Sequence, residues 1–546
     1  MYKYDRENEF GNIEYKEKLL DKSKERIDRL MSQMRYRCNE GDGECMYILG
    51  VSDDGTPTGL TDDEFTESFN NLSMAASSNN YSMSIITTKT IPIINKKIYE
   101  LLIRENNEQK YIDIKVAVAG NVDAGKSTLI GTLISGHHDD GNGLSRLLVF
   151  NFKHEVKNGR TSSVAHHILG FDTKGNITNY NISNKSDKKT WPEIVKASAK
   201  IISFYDLCGH EKYLKTTITG LTSAFPDLCL IIVGANMGIS RMTQEHIFLC
   251  VTLKIPFVII ITKIDYVSDK KNVLEKTLES VSKLLRLPGL RKIPYTISNI
   301  DDVITCAKNI HAESIVPIFQ LSSVTGEGLD YLKKFLNFSN KSLANTRTDN
   351  KDTVEYHIDA TFSVPGFDTI VGGQLISGNI KIGDKLLLGP NNETYEQVQV
   401  RSIHCKRVPM QSISYGSYVC IGLKKINRSS IHKGNVIISL NSPQISVKEF
   451  DANITVLKTN SMTIKNGYTP MINTNNIRQT AELISIQQIN DGKDEKDEKD
   501  EKVLHTGDKA IVKFMFKYHT EYIKPGMQLV MSEGKVKIIG TVLKIY

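Results

Sequence analysis

From Ile112 to about Phe338, apolar runs of strand length, VAVAG, LCLIIVGA and FVIIIT among them, alternate with segments whose apolar positions recur at helical spacing. A parallel sheet covered by helices requires that alternation, so an α/β, doubly wound, mostly parallel sheet is expected here. After the polar linker SNKSLANTRTDNKD the period drops to two. Short alternating strands with turns at PGFD, SGN, GPNN and HKGN run from Val354 to Leu440, and a second set fills Glu449 to Tyr546, which predicts two β-barrels. Ahead of the α/β region, Leu20, Ile27, Met31 and Met34 recur at helical spacing among mixed charges, which predicts an N-terminal amphipathic helix from Tyr15 to Arg37. It either packs against its own small domain or serves as a partner-binding arm. Cys45 to Arg104 reads as strand, DDG turn, helix from about Thr61, then two strands, a small α+β domain. The expected boundaries are 1–111, 112–347, 348–443 and 444–546.

One junction in the α/β region carries chemistry. VAVAGNVDAGKSTLIG, Val116 to Gly131, leaves a strand, tightens into a loop and enters an apolar helix, and Gly120 to Ser127 fits G-x-x-x-x-G-K-[ST]. The turn through Asn121, Val122, Asp123, Ala124 and Gly125 presents backbone N–H groups at a helix N-terminus, where they cradle phosphate oxygens. Lys126 neutralises the β- and γ-phosphates, the Ser127 hydroxyl ligates Mg²⁺, and Thr128 follows in the same turn. A plain glycine turn fits the bare pattern too; the strand before and the helix after are the context phosphate binding needs. The loop implies a nucleoside triphosphate and leaves the base open.

The base is read from IPFVIIITKID, where a buried strand delivers Thr262, Lys263 and Asp265 to the ligand edge of the sheet. Asp265 suits the guanine N1–H and N2–H₂ donors, which adenine lacks, so GTP is favoured over ATP; a solvated strand end is the alternative. In PIFQLSSVTGEGL the small residues Ser322, Ser323 and Val324 let the backbone meet the guanine O6, although they also suit an ordinary turn. Between these pieces, YDLCGHEKYL supplies Asp206 to hold Mg²⁺ through water, Gly209 to sense the γ-phosphate and His210 to position the attacking water. Upstream, GRTSSV supplies Thr161, a hydroxyl that closes over Mg²⁺ when the γ-phosphate is present.

Taken together, GNVDAGKST, GRTSSV, DLCGH, TKID and SSV, followed by FSVPGFDTIVGGQLISGNIKIGD, resemble the translational GTPases of the elongation factor Tu type. HEVKNGRTSSVAHHILGFD, YLKTTITGLTSAFPD, NIRQTA and MYILGVSDDGTPTGLTDDEF are similar, more narrowly, to segments of the eukaryotic GTP-binding protein one and two subfamily, from about Cys45 to the C-terminus. The resemblance implies a P-loop GTPase domain followed by two barrels, with GTP and Mg²⁺ as its cofactors. It also implies hydrolysis that stays slow until the ribosome stimulates it, with ribosome and tRNA as partners.

Three departures qualify what is carried over. Thr262 stands where Tu-type factors carry Asn in Asn-Lys-x-Asp, which removes a donor and implies looser guanine binding. Arg160 replaces an apolar gate residue opposite the one matching Val122, implying altered control of His210. Asp359 and Phe362 match residues lining the family's aminoacyl pocket, whereas Ala360, Gly372 and Tyr418 replace its polar ones. Carriage of aminoacyl-tRNA therefore does not follow directly.

Composition adds bounds. A chain of 546 residues suits three or four domains, and a formal charge of +7 is mild for that length, compatible with ribosome or tRNA contact. The apolar runs are strand-sized and the first residues do not read as a signal peptide, so a cytoplasmic monomer engaging neither DNA nor membrane is expected. Among eight cysteines Cys38 and Cys45 are the closest pair near the N-terminus, and neither zinc nor a disulfide framework is expected. The run DGKDEKDEKDEK nearly cancels in charge and is expected to be an unstructured loop. Two function classes remain: a GTPase that escorts tRNA to the ribosome, and a GTP-gated module that recruits a rescue or RNA-decay partner through the N-terminal domain.

Overall fold

The computed structural model describes residues 4–92, 94–106, 111–150, 152–159, 161–181, 189–269, 271–287, 290–312, 314–341, 353–363, 369–424, 426–457, 463–489, 503–533 and 535–546. The gate position Arg160, the PGFD turn, residues 342–352 of the linker and the DGKDEKDEKDEK run lie outside them.

The central region is a seven-stranded sheet in the order Ile293–Thr296, Ile315–Gln320, Phe257–Thr262, Leu228–Gly234, Ile112–Gly120, Lys200–Asp206 and Ala165–Phe171. Every neighbouring pair is parallel except the last, where Ala165–Phe171 runs antiparallel beside Lys200–Asp206. The runs are continuously apolar because both faces are covered. Helices Leu214–Ser223, Arg241–Thr252 and Lys271–Leu285 close one face around Ala117, Ala119, Ile231 and Ile261. Helices Lys126–Ser135, Ile300–Asn309 and Leu329–Phe338 close the other around Val116, Val118, Ile232 and Ile260. This is the doubly wound arrangement expected from the alternation.

Two β-barrels follow. In the first, Glu355–Phe362, Ile370–Ser377, Tyr418–Lys424, Thr394–Cys405, Lys385–Asn391 and Val436–Ile438 form a ring, closed where Lys385–Asn391 pairs with Thr394–Cys405. In the second, six strands between Glu449 and Ile545 form a closed barrel. Closure leaves no long strand edge unpaired, which is how short alternating strands become stable. Lys406 Nζ ties the first barrel to Asp113 Oδ2 of the central sheet at 2.6 Å. Thr219 of helix Leu214–Ser223 donates to Asn473 of the second barrel at 3.5 Å, and Val530 joins the core beneath that helix.

At the N-terminus a four-stranded sheet runs in the order Ile13–Lys16, Glu44–Leu49, Lys96–Glu105, Tyr81–Ile91. Helices Lys24–Glu40 and Asp62–Ser78 pack their Leu30, Met34, Leu72 and Ala75 onto it. The second helix starts at a capping box, Thr61 Oγ1 accepting from the Glu64 N–H at 3.2 Å while Glu64 accepts from the Thr61 N–H at 3.0 Å. The first helix corrects the sequence reading: it begins at Lys24, and Tyr15 belongs to a strand that pairs in parallel with Glu44–Leu49. The reason is the buried Glu14, whose carboxylate meets Arg37 Nε at 2.6 Å; a carboxylate inside the domain reads in sequence as a solvated position. Cys38 and Cys45 face each other in this core as free thiols, their Sγ atoms 3.0 Å apart.

The N-terminal sheet is locked to the central one by buried charge. Glu44 accepts from Arg104 Nε at 2.8 Å and from Lys200 Nζ at 2.7 Å. Arg104 and Lys200 also donate to the Asn337 carbonyl at 2.9 and 2.8 Å. All three charged side chains are at most 3% exposed, so each depends on the others for compensation. Glu44→Gln leaves two buried cations facing one neutral amide. It is expected to destabilise the protein by about 3–5 kcal/mol, a range set by broken buried ion pairs. Urea denaturation followed by fluorescence reads this directly, and a wild-type midpoint would show that the network contributes nothing.

Candidate nucleotide site

The loop after strand Ile112–Gly120 turns through Asp123 at φ +58° and Gly125 at φ +93°, left-handed positions that an Asp tolerates and a Gly adopts freely. Helix Lys126–Ser135 starts immediately after, so its free N–H groups face the loop. Thr262 Oγ1 donates to the Ala124 carbonyl at 2.6 Å and so straps the loop to the neighbouring strand end. In this chain the residue replacing Asn braces the loop.

Lys126 is buried, and its Nζ donates to the Asn121 carbonyl at 2.8 Å. Desolvation lowers its pKa, against the attraction of Asp206. Asp206, the last residue of its strand, is fully buried, and burial pushes its carboxyl up to about 6. Its Oδ2 accepts from Ser127 Oγ at 2.6 Å, and Thr161 Oγ1 lies 3.0 Å from Ser127 Oγ and 3.4 Å from that same carboxylate oxygen. Its Oδ1 is buried without a hydrogen-bond partner among the described residues. Octahedral Mg²⁺ with bonds of about 2.0–2.1 Å holds adjacent oxygens roughly 3 Å apart. The two hydroxyls match that spacing, and the orphaned Asp206 oxygen is a further acceptor able to serve such an ion directly or through water.

Gly209 presses against the loop: a Cβ there would collide with Lys126 Nζ and lie 2.7 Å from the Gly120 carbonyl. His210 follows, its Nδ1 accepting from the Lys212 N–H at 3.1 Å, its ring edge-on to Tyr213. Val122, Asp123, Gly125 to Thr128, Thr161, Gly209 and His210 line one open cavity. The sequence-derived phosphate and switch residues thus meet in one place. Arg146 and Gly159 also line it; neither was singled out from sequence, where an Arg among Leu, Ser and Gly carries no signature.

The residues that the sequence assigns to base reading lie on the adjacent strand ends. Lys263 turns at φ +61°, and Asp265 follows with its Oδ1 buried and unpartnered among the described residues. Ser322 is buried, its Oγ accepting from the Val324 and Thr325 N–H groups at 3.1 Å, which shapes the turn containing Ser323 and the exposed Val324. A buried carboxylate oxygen without a donor is costly unless a ligand supplies one, and a guanine edge does. Asp359, Ala360, Phe362, Gly372 and Tyr418 lie apart from this cavity, on the first barrel. There Tyr418 Oη donates to Asp359 Oδ1 at 2.8 Å and the Tyr418 ring packs on His166.

A doubly wound sheet with a glycine-bounded loop running from the end of strand Ile112–Gly120 into helix Lys126–Ser135 is the architecture of a P-loop GTPase. Profiles described as "Elongation factor Tu GTP binding domain" and "Elongation factor Tu domain 2" match residues 113–358 and 368–438. The chain is 41% identical over 530 residues to GTP-binding protein 1 of Xenopus laevis, covering 96% of this chain and 78% of that one. It is 38% identical to GTP-binding protein 2 of Homo sapiens, covering 99% of this chain and 88% of that one. Elongation factor SelB of Methanococcus maripaludis, solved with the GTP analogue GPPNHP, shares the fold at a TM-score of 0.53 and 16% identity, with 80% of each chain covered. The chain belongs to the elongation factor Tu-type translational GTPases, within the group of GTP-binding proteins 1 and 2. Among the described residues no helix is long and apolar enough to cross a membrane.

Asp265→Asn exchanges an acceptor for an amide that suits the C2 carbonyl of xanthine. GTP affinity is expected to fall roughly a hundredfold while xanthosine triphosphate becomes the preferred ligand, as fits a lost charge-assisted pair. Competition binding of the two nucleotides checks this, and unchanged preference would remove Asp265 from base reading.

Proposed function

We propose that this protein binds Mg²⁺ and GTP in the cavity around Lys126 and hydrolyses GTP slowly until the ribosome aligns His210. In its closed form it presents the GTPase domain and both barrels as one tRNA-binding surface. The observation that supports this best is the pair of contacts flanking Asp206: Thr161 meets Ser127 at 3.0 Å, and Thr219, on the helix after Gly209, reaches Asn473 of the second barrel. The nucleotide corner and the barrel docking are thereby carried by one connected stretch of chain.

In this reading the loop N–H groups and Lys126 bind the phosphates, with Ser127, Thr161 and Asp206 as the residues that hold Mg²⁺. Mg²⁺ contributes charge neutralisation at the β- and γ-phosphates. Asp265, Lys263 and the turn at Ser322 to Val324 read guanine. In the same reading the Gly209 N–H senses the γ-phosphate and His210 orients the attacking water. The protein would act as a cytoplasmic monomer.

One observation favours a second emphasis within this class. On the first barrel, Phe362 and Tyr418 occupy the space beside Gly372, where a Cβ would lie 2.9 Å from each side chain. Asp359 is already engaged by Tyr418, and its carboxyl is pushed up to about 6 by desolvation. Binding to tRNA would then be indifferent to the attached amino acid, and GTP-gated recruitment in ribosome rescue or RNA decay becomes the alternative to escort.

The test is GTP hydrolysis by the wild type and His210→Ala, each with ribosomes and with charged or uncharged tRNA. Stimulation by ribosomes with both kinds of tRNA is expected, with His210→Ala about a hundredfold slower at unchanged GTP affinity, because water positioning acts in the transition state. Absence of ribosomal stimulation would overturn the translation reading, and equal rates would remove His210 from the chemistry.

A further inference from the structure

The segment from His138 to Arg146 is a braced platform. Asp139 accepts the Gly141 and Gly143 N–H groups at 3.1 Å and the Ser145 N–H at 2.8 Å, fixing the chain into a short turn. The Ser145 carbonyl lies so close to Gly131 of the phosphate-loop helix that any Cβ there would collide with it. On the other side the Asp139 N–H donates to the Ser323 carbonyl at 2.8 Å, and the His138 ring fills the space beside Gly326. The segment is therefore held between the phosphate loop's helix and the base-reading turn.

That platform carries Arg146, whose side chain lines the phosphate cavity with Lys126, Thr161 and His210. Two left-handed glycines make room for the guanidinium. A Cβ on Gly143, at φ +91°, would collide with its Nε, and one on Gly159, at φ +63°, would lie 3.3 Å from Cζ and Nη1. Its one hydrogen bond among the described residues is long, Nη2 to the Asn142 carbonyl at 3.5 Å, and no described carboxylate pairs with it. Lys126 and Arg146 thus line one cavity together with Asp123, and Lys126 is drawn to the carboxylates of Asp206 and Asp123, whereas no described carboxylate pairs with Arg146. A polyphosphate in the cavity supplies the anion that the guanidinium lacks, and a guanidinium matches phosphate oxygens in a planar fork.

We infer that Arg146 is a second phosphate-binding cation of the nucleotide site, supplied in cis and brought into place with Thr161. Gly159, against which the guanidinium rests, is two residues from Thr161, so whatever moves Thr161 off the metal corner moves the wall of the Arg146 slot. The contact therefore belongs to the closed form and favours GTP over GDP. It rests on the nucleotide assignment above.

Arg146→Ala and Arg146→Lys in the full chain test it, with Kd measured for fluorescent GDP and for a fluorescent non-hydrolysable GTP analogue, both with Mg²⁺. Arg146→Ala is expected to weaken the analogue about tenfold or more, as for loss of a charge-assisted contact, and GDP by less than about threefold. Arg146→Lys, keeping charge without the fork, should fall between Ala and wild type. Wild-type affinities in Arg146→Ala, or equal loss for both nucleotides, would overturn the inference. A wild type that binds neither nucleotide would instead overturn the site assignment itself. Unchanged circular dichroism separates either result from misfolding.

Discussion

A lysine and an aspartate that the fold buries together, Lys126 and Asp206, set the terms for everything around them. Lys126 has one backbone carbonyl as partner, and Asp206 keeps one carboxylate oxygen without a donor among the described residues. Neither charge is fully compensated by neighbouring side chains, and burial makes that costly. A magnesium-bound polyphosphate satisfies both, offering anionic oxygens to the ammonium and a cation to the carboxylate. The surrounding rigidity follows from the same demand. The left-handed turn at Gly125, the bare Cα of Gly209 and the strap from Thr262 hold the donors in place before the ligand arrives.

The strand ending in Asp206 begins at Lys200, and that far end is fixed as firmly as the near one. Lys200 shares Glu44 with Arg104, so the N-terminal sheet is fastened to the strand that ends in Asp206. Beyond Asp206 the chain passes Gly209 and His210 into helix Leu214–Ser223, against which the second barrel docks. Nucleotide, N-terminal sheet and barrel therefore meet along one continuous run from Lys200 to Ser223. The N-terminal domain is a docked part of the body, which favours the first of the two readings offered for its leading helix.

Much of this was legible in the sequence where a local pattern had a single physical solution. Strand-length apolar runs separated by amphipathic stretches permit little except a covered parallel sheet, and the period-two regions closed into barrels. The turn VAVAGNVDAGKST specified its own backbone because Gly at φ +93° is part of the pattern. What was not legible depends on partners distant in sequence. The strand at Ile13–Lys16 is only four residues long, and its pairing with Glu44–Leu49 hides Glu14, a residue that pattern reading places in solvent. Arg104 and Lys200 were invisible for the same reason: their burial is decided by Glu44 and Asn337. Arg146 became visible only when the glycines at 143 and 159 were seen to form its slot.

The coupling of the phosphate site to barrel docking is tested most directly by hydrogen–deuterium exchange of the full chain with Mg²⁺ and either GDP or a non-hydrolysable GTP analogue. Three regions report it: the backbone around Thr161, helix Leu214–Ser223, and strand Met471–Thr474 of the second barrel. All three are predicted to gain protection together with the GTP analogue relative to GDP, since Thr161 closure and barrel docking share one connected structure. Identical protection with both nucleotides, or protection at Thr161 without any change at Met471–Thr474, would contradict it.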